Sequence, residues 1–375
     1  MPRALVAGAS DIGRVRDRNE DSFAIGDLDA GELWDGEGAL ATTGPRGPFV
    51  VVCDGMGGAA GGEVASELAT RAAWRDLAAA HATDDPEVFA RLVRRAVRAA
   101  NQRVWDEAQR EPTLRGMGTT LSAVGIVGRH LVIAQVGDSR VYVHRAGVLT
   151  QVTRDQTLSS ALVGAGKYTQ AEAEALVGAA TILQALGVAA DVDPSLSIVD
   201  LRRDDRVLVC SDGLHNQLGV STIAAILDGR KGPDVVAAAL VATARAAGGA
   251  DNITAVVMFA SGDDLPATTS IDELPRFVEF DPHEEGDRAL TSTSYVARRL
   301  AARAGIIADP GPPVVPPTAQ HAVVPRGRRA HGVPLAEVAG PARRQVASAG
   351  RTATIVAVLG ALVAAAVGWW LAGYL

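Results

Sequence analysis

Five acidic clusters hold the residues of this chain that could do chemistry. Asp54 closes an apolar run at residues 49–53 and is followed by Gly55, Gly57 and Gly58. Asp212 and Gly213 follow a second β-rich run at 206–211, and Asp138 follows a third at 132–136. Asp251 and Asn252 open the run 253–259, and Asn19, Glu20 and Asp21 open the run 22–25. A carboxylate at the end of a buried strand needs a partner, because an unpaired buried charge is very costly. The glycines permit positive φ and let a ligand approach the main chain. A single Asp-Gly after a strand reads as a tight turn; recurrence at five strand ends points instead to a metal centre. The donors are carboxylate and carbonyl oxygens, with no His or Cys at ligand spacing, so Mg²⁺ or Mn²⁺ fits better than Zn²⁺. Arg14, Arg16 and Arg18 lie in a charged loop beside the first cluster. A guanidinium there could clamp a phosphate through its planar fork; a solvated surface arginine is the alternative for each.

Strands must carry these acids. The β-branched runs predict strands over 5–9, 22–25, 49–52, 121–127, 130–136, 205–211 and 253–260, and a hairpin over 141–144 and 148–153. Asp54 is expected to end its strand, and residues 27–47, rich in glycine, to be irregular. Helices are expected over 63–80, from Asp84-Asp85-Pro86 to about 108, and over 220–227 and 234–247. The apolar stripe Phe89, Leu92, Val93, Ala96, Val97, Ala100 and Val104 is core packing. Residues 159–181 break the strand pattern and read as a mobile insertion with a helix over 170–177. Successive hairpins imply antiparallel sheet, and two helices between buried strands imply packing across a sheet face.

Composition narrows the function classes. The chain has 375 residues, 48% of them hydrophobic, and a net charge of −7. Residues 1–262 hold 32 acids and 25 bases, hence the whole −7, while the remainder holds 11 of each. That balance disfavours nucleic-acid binding. No Gly-x-x-x-x-Gly-Lys loop supports a nucleotide-binding enzyme. Cys53 and Cys210 sit in apolar runs and read as buried hydrophobes in a reducing compartment. Only a short apolar stretch follows Arg3, so no secretory signal is expected.

Six motifs then stand in one order: Arg16-x-x-Asn19-Glu20-Asp21, Asp54-Gly55-Met56-Gly57-Gly58, Gly118-Thr119-Thr120, Gly137-Asp138-Ser139-Arg140, Ser211-Asp212-Gly213-Leu214 and Asp251-Asn252-Ile253-Thr254. In this the chain resembles the metal-dependent serine/threonine protein phosphatases (PPM, type 2C), across residues 4–262, with the bacterial membrane-linked branch nearest. The resemblance implies an α+β fold: an antiparallel β-sandwich flanked by helices in αββα layers. It implies two Mn²⁺ or Mg²⁺ ions, with Asp54 bridging both, the Gly55 carbonyl on one, and Asp212 and Asp251 on the other. Glu20 and Asp21 would act through bound waters, Arg16 would hold the substrate phosphate, and a third ion would lie near Asp138 and Asp212. Some positions depart from the wider family. Met56 stands where eukaryotic members place a His proposed as general acid. Asp155-Gln156-Thr157 replaces Asp-His-Ser, Asn216 stands where a second acid often follows, and Gln184 stands where an Arg or similar residue is common.

The tail has a different character. Residues 263–293 hold 9 acids and 2 bases, and residues 294–351 hold 2 acids and 9 bases. Pro310, Pro312, Pro313, Pro316 and Pro317 mark residues 263–352 as a disordered Pro/Arg-rich linker. Residues 353–375 carry no charge. About 22 residues of helix span roughly 33 Å, against a hydrocarbon core near 30 Å, so a transmembrane helix is expected. Trp369, Trp370 and Tyr374 suit an interfacial belt. The expected protein is a phosphoserine/phosphothreonine phosphatase at the cytoplasmic face of the cell membrane, acting on phosphorylated proteins against Ser/Thr kinases. The alternative is a weakly active scaffold of the same fold that binds phosphoproteins.

Overall fold

Alternation with period two builds the core. In the computed structural model, which describes residues 3–280 apart from 35, 37, 43, 45, 58–60, 167, 178–180, 269–273 and 276–278, the chain runs through thirteen strands. All described residues lie in the first of the two units into which the chain separates, Met1–Val315 and Pro316–Leu375. The strands are β1 (Arg3–Asp11), β2 (Asp21–Asp27), β3 (Glu32–Leu33), β4 (Leu40–Thr42), β5 (Arg46–Met56), β6 (Gly118–Thr119), β7 (Leu121–Val127), β8 (His130–Val136), β9 (Arg140–Arg145), β10 (Val148–Gln151), β11 (Ser195–Asp200), β12 (Arg206–Cys210) and β13 (Ile253–Ser261). One sheet has the order β10-β9-β12-β13-β1-β4; the other has β11-β8-β7-β5-β2-β3, with β6 paired to the end of β5. Every pairing is antiparallel.

Along β5, Val50 and Val52 face the opposing sheet, while Phe49, Val51 and Cys53 face away from it. Along β12, Val207 and Val209 point inward, and Leu208 and Cys210 outward. Each outer face is covered by helices. α1 (Gly61–Ala78) and α2 (Pro86–Arg110) bury Ala69, Trp74, Phe89, Val93 and Val97 against the sheet that contains β5. After α3 (Leu158–Gly164) and α4 (Gln170–Val177) come α5 (Asp212–His215), α6 (Val220–Leu227) and α7 (Pro233–Ala247), whose Leu214, Ile223, Leu227, Val236 and Leu240 cover the sheet that contains β12. The layers are therefore helix, sheet, sheet, helix. The cap of α2 follows its sequence: the Asp85 side chain accepts hydrogen bonds from the Glu87 and Val88 amides, with Pro86 in the first turn. The two free cysteines pack in separate outer cores.

Several expectations need correction. The strand at Asp54 does not stop there. It runs on to Met56, because Asp54 pairs across to Asp21 and Gly55 and Met56 pair with Thr119 and Gly118. Residues 27–47 contain two short strands, β3 and β4, rather than irregular chain alone. β11 and α3 were not anticipated; the helix over 170–177 was. Among the described residues no helix is long and apolar enough to cross a membrane. The apolar span 353–375 lies outside the described residues, as does the linker 263–352 beyond its first residues and residues 274, 275, 279 and 280.

Candidate metal centre

The acids meet where both sheets present the ends of their strands. Asp21 opens β2 and faces Asp54 across the β2–β5 ladder. Asp138 lies in the turn between β8 and β9, Asp212 opens α5 directly after β12, and Asp251 sits two residues before β13. Hydrogen bonds to the backbone fix Asp54 and Gly55. The Asp54 amide donates to Thr120 Oγ1 at 3.0 Å, and its carbonyl accepts from the Thr120 amide at 2.9 Å and from Thr119 Oγ1 at 2.9 Å. The Gly55 amide donates to the Glu20 carbonyl at 3.1 Å. A Cβ at Gly55 would lie 2.1 Å from the Gly62 carbonyl oxygen, so only glycine lets the start of α1 close against the strand. Gly213 is forced likewise: a Cβ there would lie 2.0 Å from the Asn252 carbonyl oxygen.

Two residues of the quoted motifs, given no role by sequence alone, bind the cluster together. Asn252 donates through Nδ2 to the carbonyls of Ile12 (3.0 Å) and Arg18 (2.8 Å), and its Oδ1 accepts from the Glu20 amide (2.8 Å). It thereby holds the whole loop bearing Arg16 and Glu20. Ser211 Oγ donates to Asp21 Oδ2 at 2.7 Å and accepts from the Thr254 amide at 3.0 Å. Their signal was adjacency: each neighbours an acid at a strand end.

The electrostatics are those of crowded, poorly hydrated anions. Burial first, then the charges of Asp21, Asp212 and Asp138, push the Asp54 carboxyl well above its usual range. Burial pushes Asp21 up to about 7, against the pull of hydrogen bonds from Ser211 and Thr254, with Asp212 and Asp251 adding repulsion. Burial and Asp212 push Asp138 up to about 7. Asp212 is raised by burial and by Asp251, and Glu20 by burial, against the pull of Arg16. Asp21 and Asp54 keep part of their surface open; a carboxylate at the floor of a cleft can touch solvent and still be poorly hydrated. All eight residues singled out from sequence, Arg16, Glu20, Asp21, Asp54, Gly55, Asp138, Asp212 and Asp251, thus lie in one neighbourhood.

Among the described residues no three acidic, histidine or cysteine groups stand close enough to grip one ion as they are. Two of the acids have other partners at present. Asp251 Oδ2 accepts from the Arg16 guanidinium at 2.7 Å, and Asp212 Oδ2 accepts from Asn216 Nδ2 at 3.2 Å. The residues nevertheless fit divalent cations. Asp21 Oδ1 and Asp212 Oδ1 are buried oxygens with no hydrogen-bond partner, a costly state that a cation relieves. The donor set is all hard oxygen, as Mg²⁺ and Mn²⁺ require.

Comparison with known proteins agrees. A family model described as Protein phosphatase 2C matches residues 18–228. The serine/threonine protein phosphatase PstP of Mycobacterium tuberculosis is 38% identical over 256 residues, 67% of this chain and 44% of PstP; the chain thus spans less than half the length of that relative. The serine/threonine phosphatase stp of Listeria monocytogenes is 32% identical over 252 residues, 66% of this chain and 93% of stp. Among solved structures, the catalytic domain of PstP in complex with two manganese ions superposes with a TM-score of 0.57 at 35% identity, covering 70% of this chain and 100% of that one. A Streptococcus agalactiae serine/threonine phosphatase superposes with a TM-score of 0.60 at 31% identity, covering 68% and 99%.

Asp21 and Asp138, at about 7, stand above the ordinary carboxylate value of 3.8. The native state therefore holds more protons than the unfolded chain between about pH 4 and 7, and stability falls as pH rises through that window. In chelator, the melting temperature should drop from pH 5 to pH 7.5. In saturating Mn²⁺ it should rise at pH 7.5, by a stabilisation of about 2.7 kcal/mol at a hundred times the dissociation constant. Asp54→Asn should shrink the Mn²⁺-induced shift yet leave the metal-free protein no less stable than its parent. Scanning calorimetry reads all three; an equal Mn²⁺ shift in parent and Asp54→Asn would remove Asp54 from the ligand set.

Proposed function

The chain belongs to the protein phosphatase 2C family, and on that premise we propose that it hydrolyses phosphoserine and phosphothreonine in proteins with two bound Mn²⁺ or Mg²⁺ ions. The observation that carries this reading is the meeting of Asp21, Asp54, Asp138, Asp212 and Asp251 at one junction of the two sheets, beside Arg16. In this reading Asp54 would be shared by the two ions, the Gly55 carbonyl would hold one, Asp212 and Asp251 would hold the other, and Glu20 and Asp21 would act through water. A third ion is assigned to Asp138 and Asp212. The manganese bound by the PstP catalytic domain supports the choice of metal. Bound divalent ions supply charge neutralisation and a water of lowered pKa as nucleophile.

The chain's own groups do the rest. Arg16 is half exposed, its side chain 51% accessible, and Asp251 occupies one of its five N–H donors. Its remaining donors can take phosphoryl oxygens and stabilise charge that builds there. Asn252 holds the Arg16 loop in register for this. Met56 at the end of β5 has no proton to give to the leaving alcohol. His215 is no substitute: burial lowers its pKa to about 4, and its Nε2–H is engaged with the Asp138 carbonyl at 3.2 Å. Neither Met56 nor His215 therefore protonates the leaving alcohol.

Phosphate release from phosphothreonine peptides should require Mn²⁺ or Mg²⁺ and vanish in excess chelator. Asp54→Asn or Asp212→Asn should each slow turnover by at least about a hundredfold, since a lost transition-state charge contact costs about 3 kcal/mol or more. Full turnover in chelator would end this reading.

We further propose that residues 353–375 anchor the chain in the cell membrane with the phosphatase domain in the cytoplasm, where it opposes Ser/Thr kinases acting on envelope, division or signalling proteins. The uncharged span supports this, and so do Arg343, Arg344 and Arg351 before it, since positive flanks stay cytoplasmic. Protease added outside intact cells should leave the phosphatase domain whole; its digestion would reverse the orientation.

A further inference from the structure

Three glutamines far apart in sequence meet behind Asp138. Gln135 and Gln156 are buried, 1% and 4% exposed. Together they take every polar group of the Gly137 backbone. The Gly137 amide donates to Gln156 Oε1 at 3.0 Å. Its carbonyl accepts from the Gln156 amide at 2.9 Å and from Gln135 Nε2 at 3.0 Å. Gln156 Nε2 donates in turn to the Gln135 carbonyl at 3.1 Å. Gly137 has φ +93°, and a Cβ on it would lie 2.7 Å from Thr120 Cγ2. The residue immediately before Asp138 is therefore clamped in a backbone conformation that only glycine takes easily.

The clamp continues in both directions. Gln135 Nε2 also donates to the Ser139 carbonyl, and Ser122 Oγ donates to Gln135 Oε1 at 2.6 Å. The Ser139 and Thr120 hydroxyls share a hydrogen bond of 2.7 Å, and Thr120 Oγ1 accepts from the Asp54 amide. On the other side, Gln184 Nε2 donates to Gln156 Oε1 at 3.2 Å and to the Asp193 carbonyl at 2.7 Å, while Gln184 Oε1 accepts from the Asp193 amide at 2.9 Å. The Leu183 amide donates to the Gln156 carbonyl at 2.8 Å. One unbroken set of hydrogen bonds thus joins the base of the α3–α4 excursion to Gly137 and Ser139, on either side of Asp138, and to the Asp54 backbone. Buried networks of this kind act as a unit when every member is satisfied.

We propose that Gln156 and Gln184 are positioning residues that set the Asp138 turn, and through Ser139 and Thr120 the Asp54 backbone, in the arrangement that binds divalent cations. The proposal rests on the metal-dependent reading above. Gln156 and Gln184 stand at two positions where this chain departs from the wider family pattern, and they contact each other. An imidazole at 156 would also offer one acceptor and one donor, the two functions Gln156 Oε1 and Nε2 perform.

The test uses the full chain in detergent, with Mn²⁺ as the probe, titrated calorimetrically and in parallel by aryl phosphate turnover. Gln156→Met keeps the volume and removes both polar functions. It should raise the Mn²⁺ dissociation constant by about tenfold or more, the range found when groups behind metal ligands are removed. Gln156→His should restore Mn²⁺ affinity to within about threefold of the parent, on the same scale. Parental Mn²⁺ affinity in Gln156→Met, or equal impairment in the Met and His variants, overturns the proposal, because a merely structural glutamine would give one or the other. Should Gln156→Met fail to fold, Gln184→Met decides: a dissociation constant raised by at least about threefold supports positioning, and an unchanged one overturns it. Failure of the hydrolysis reading is separable. A parent that binds Mn²⁺ but releases no phosphate would sink that reading and leave the calorimetric comparison standing.

Discussion

Repulsion among buried carboxylates is the constraint on which the rest of this structure depends. Asp21, Asp54, Asp138 and Asp212 are each pushed toward the protonated form by burial, and the charges of their neighbours add to that push. A chain that brings such groups together opposes its own folding unless cations or protons come with them. The two sheets, each backed by helices, supply the opposing stability. Their shared inner core and two outer cores are built almost wholly from Val, Ile, Leu, Ala and a few aromatics.

Neutral donors hold the acids without cancelling their charge. Asp54 is fixed through its backbone by Thr119 and Thr120, the Arg16 loop by Asn252, and the Asp138 turn by Gln135, Gln156 and His215. The carboxylates themselves are reached by Ser211 at Asp21, by Asn216 at Asp212 and by the Arg16 guanidinium at Asp251. Other basic side chains are engaged in structural pairs, such as Arg145 with Asp205 and Arg140 with Asp155. Oxygens left with unspent lone pairs are what a divalent cation needs, and Asp21 Oδ1 and Asp212 Oδ1 are in that condition.

The acids were legible because a carboxylate at the end of an apolar strand violates the usual pattern, and five violations share one explanation. Helix α2 was legible through Asp85, Pro86 and a long apolar stripe, and β7 and β8 through their β-branched runs. The layering itself came from the resemblance to a known family, not from periodicity. What escaped notice was set by long-range pairing. β5 continues through Asp54 and Gly55, residues of low strand propensity, because β2 and β6 complete its ladder. β11 (sequence Ser-Leu-Ser-Ile-Val-Asp) is short and half polar, and exists as a strand through its pairing with β8. The glutamine clamp joins positions 135, 156 and 184, and no local pattern marks such a meeting.

The central claim is that the strand-end carboxylates form one divalent-cation site. Anomalous diffraction from crystals grown in Mn²⁺ tests it most directly. The account predicts two strong manganese peaks sharing Asp54, one against the Gly55 carbonyl and the other against Asp212 and Asp251. Manganese peaks confined to other acids of the surface, with none beside Asp54, would contradict it.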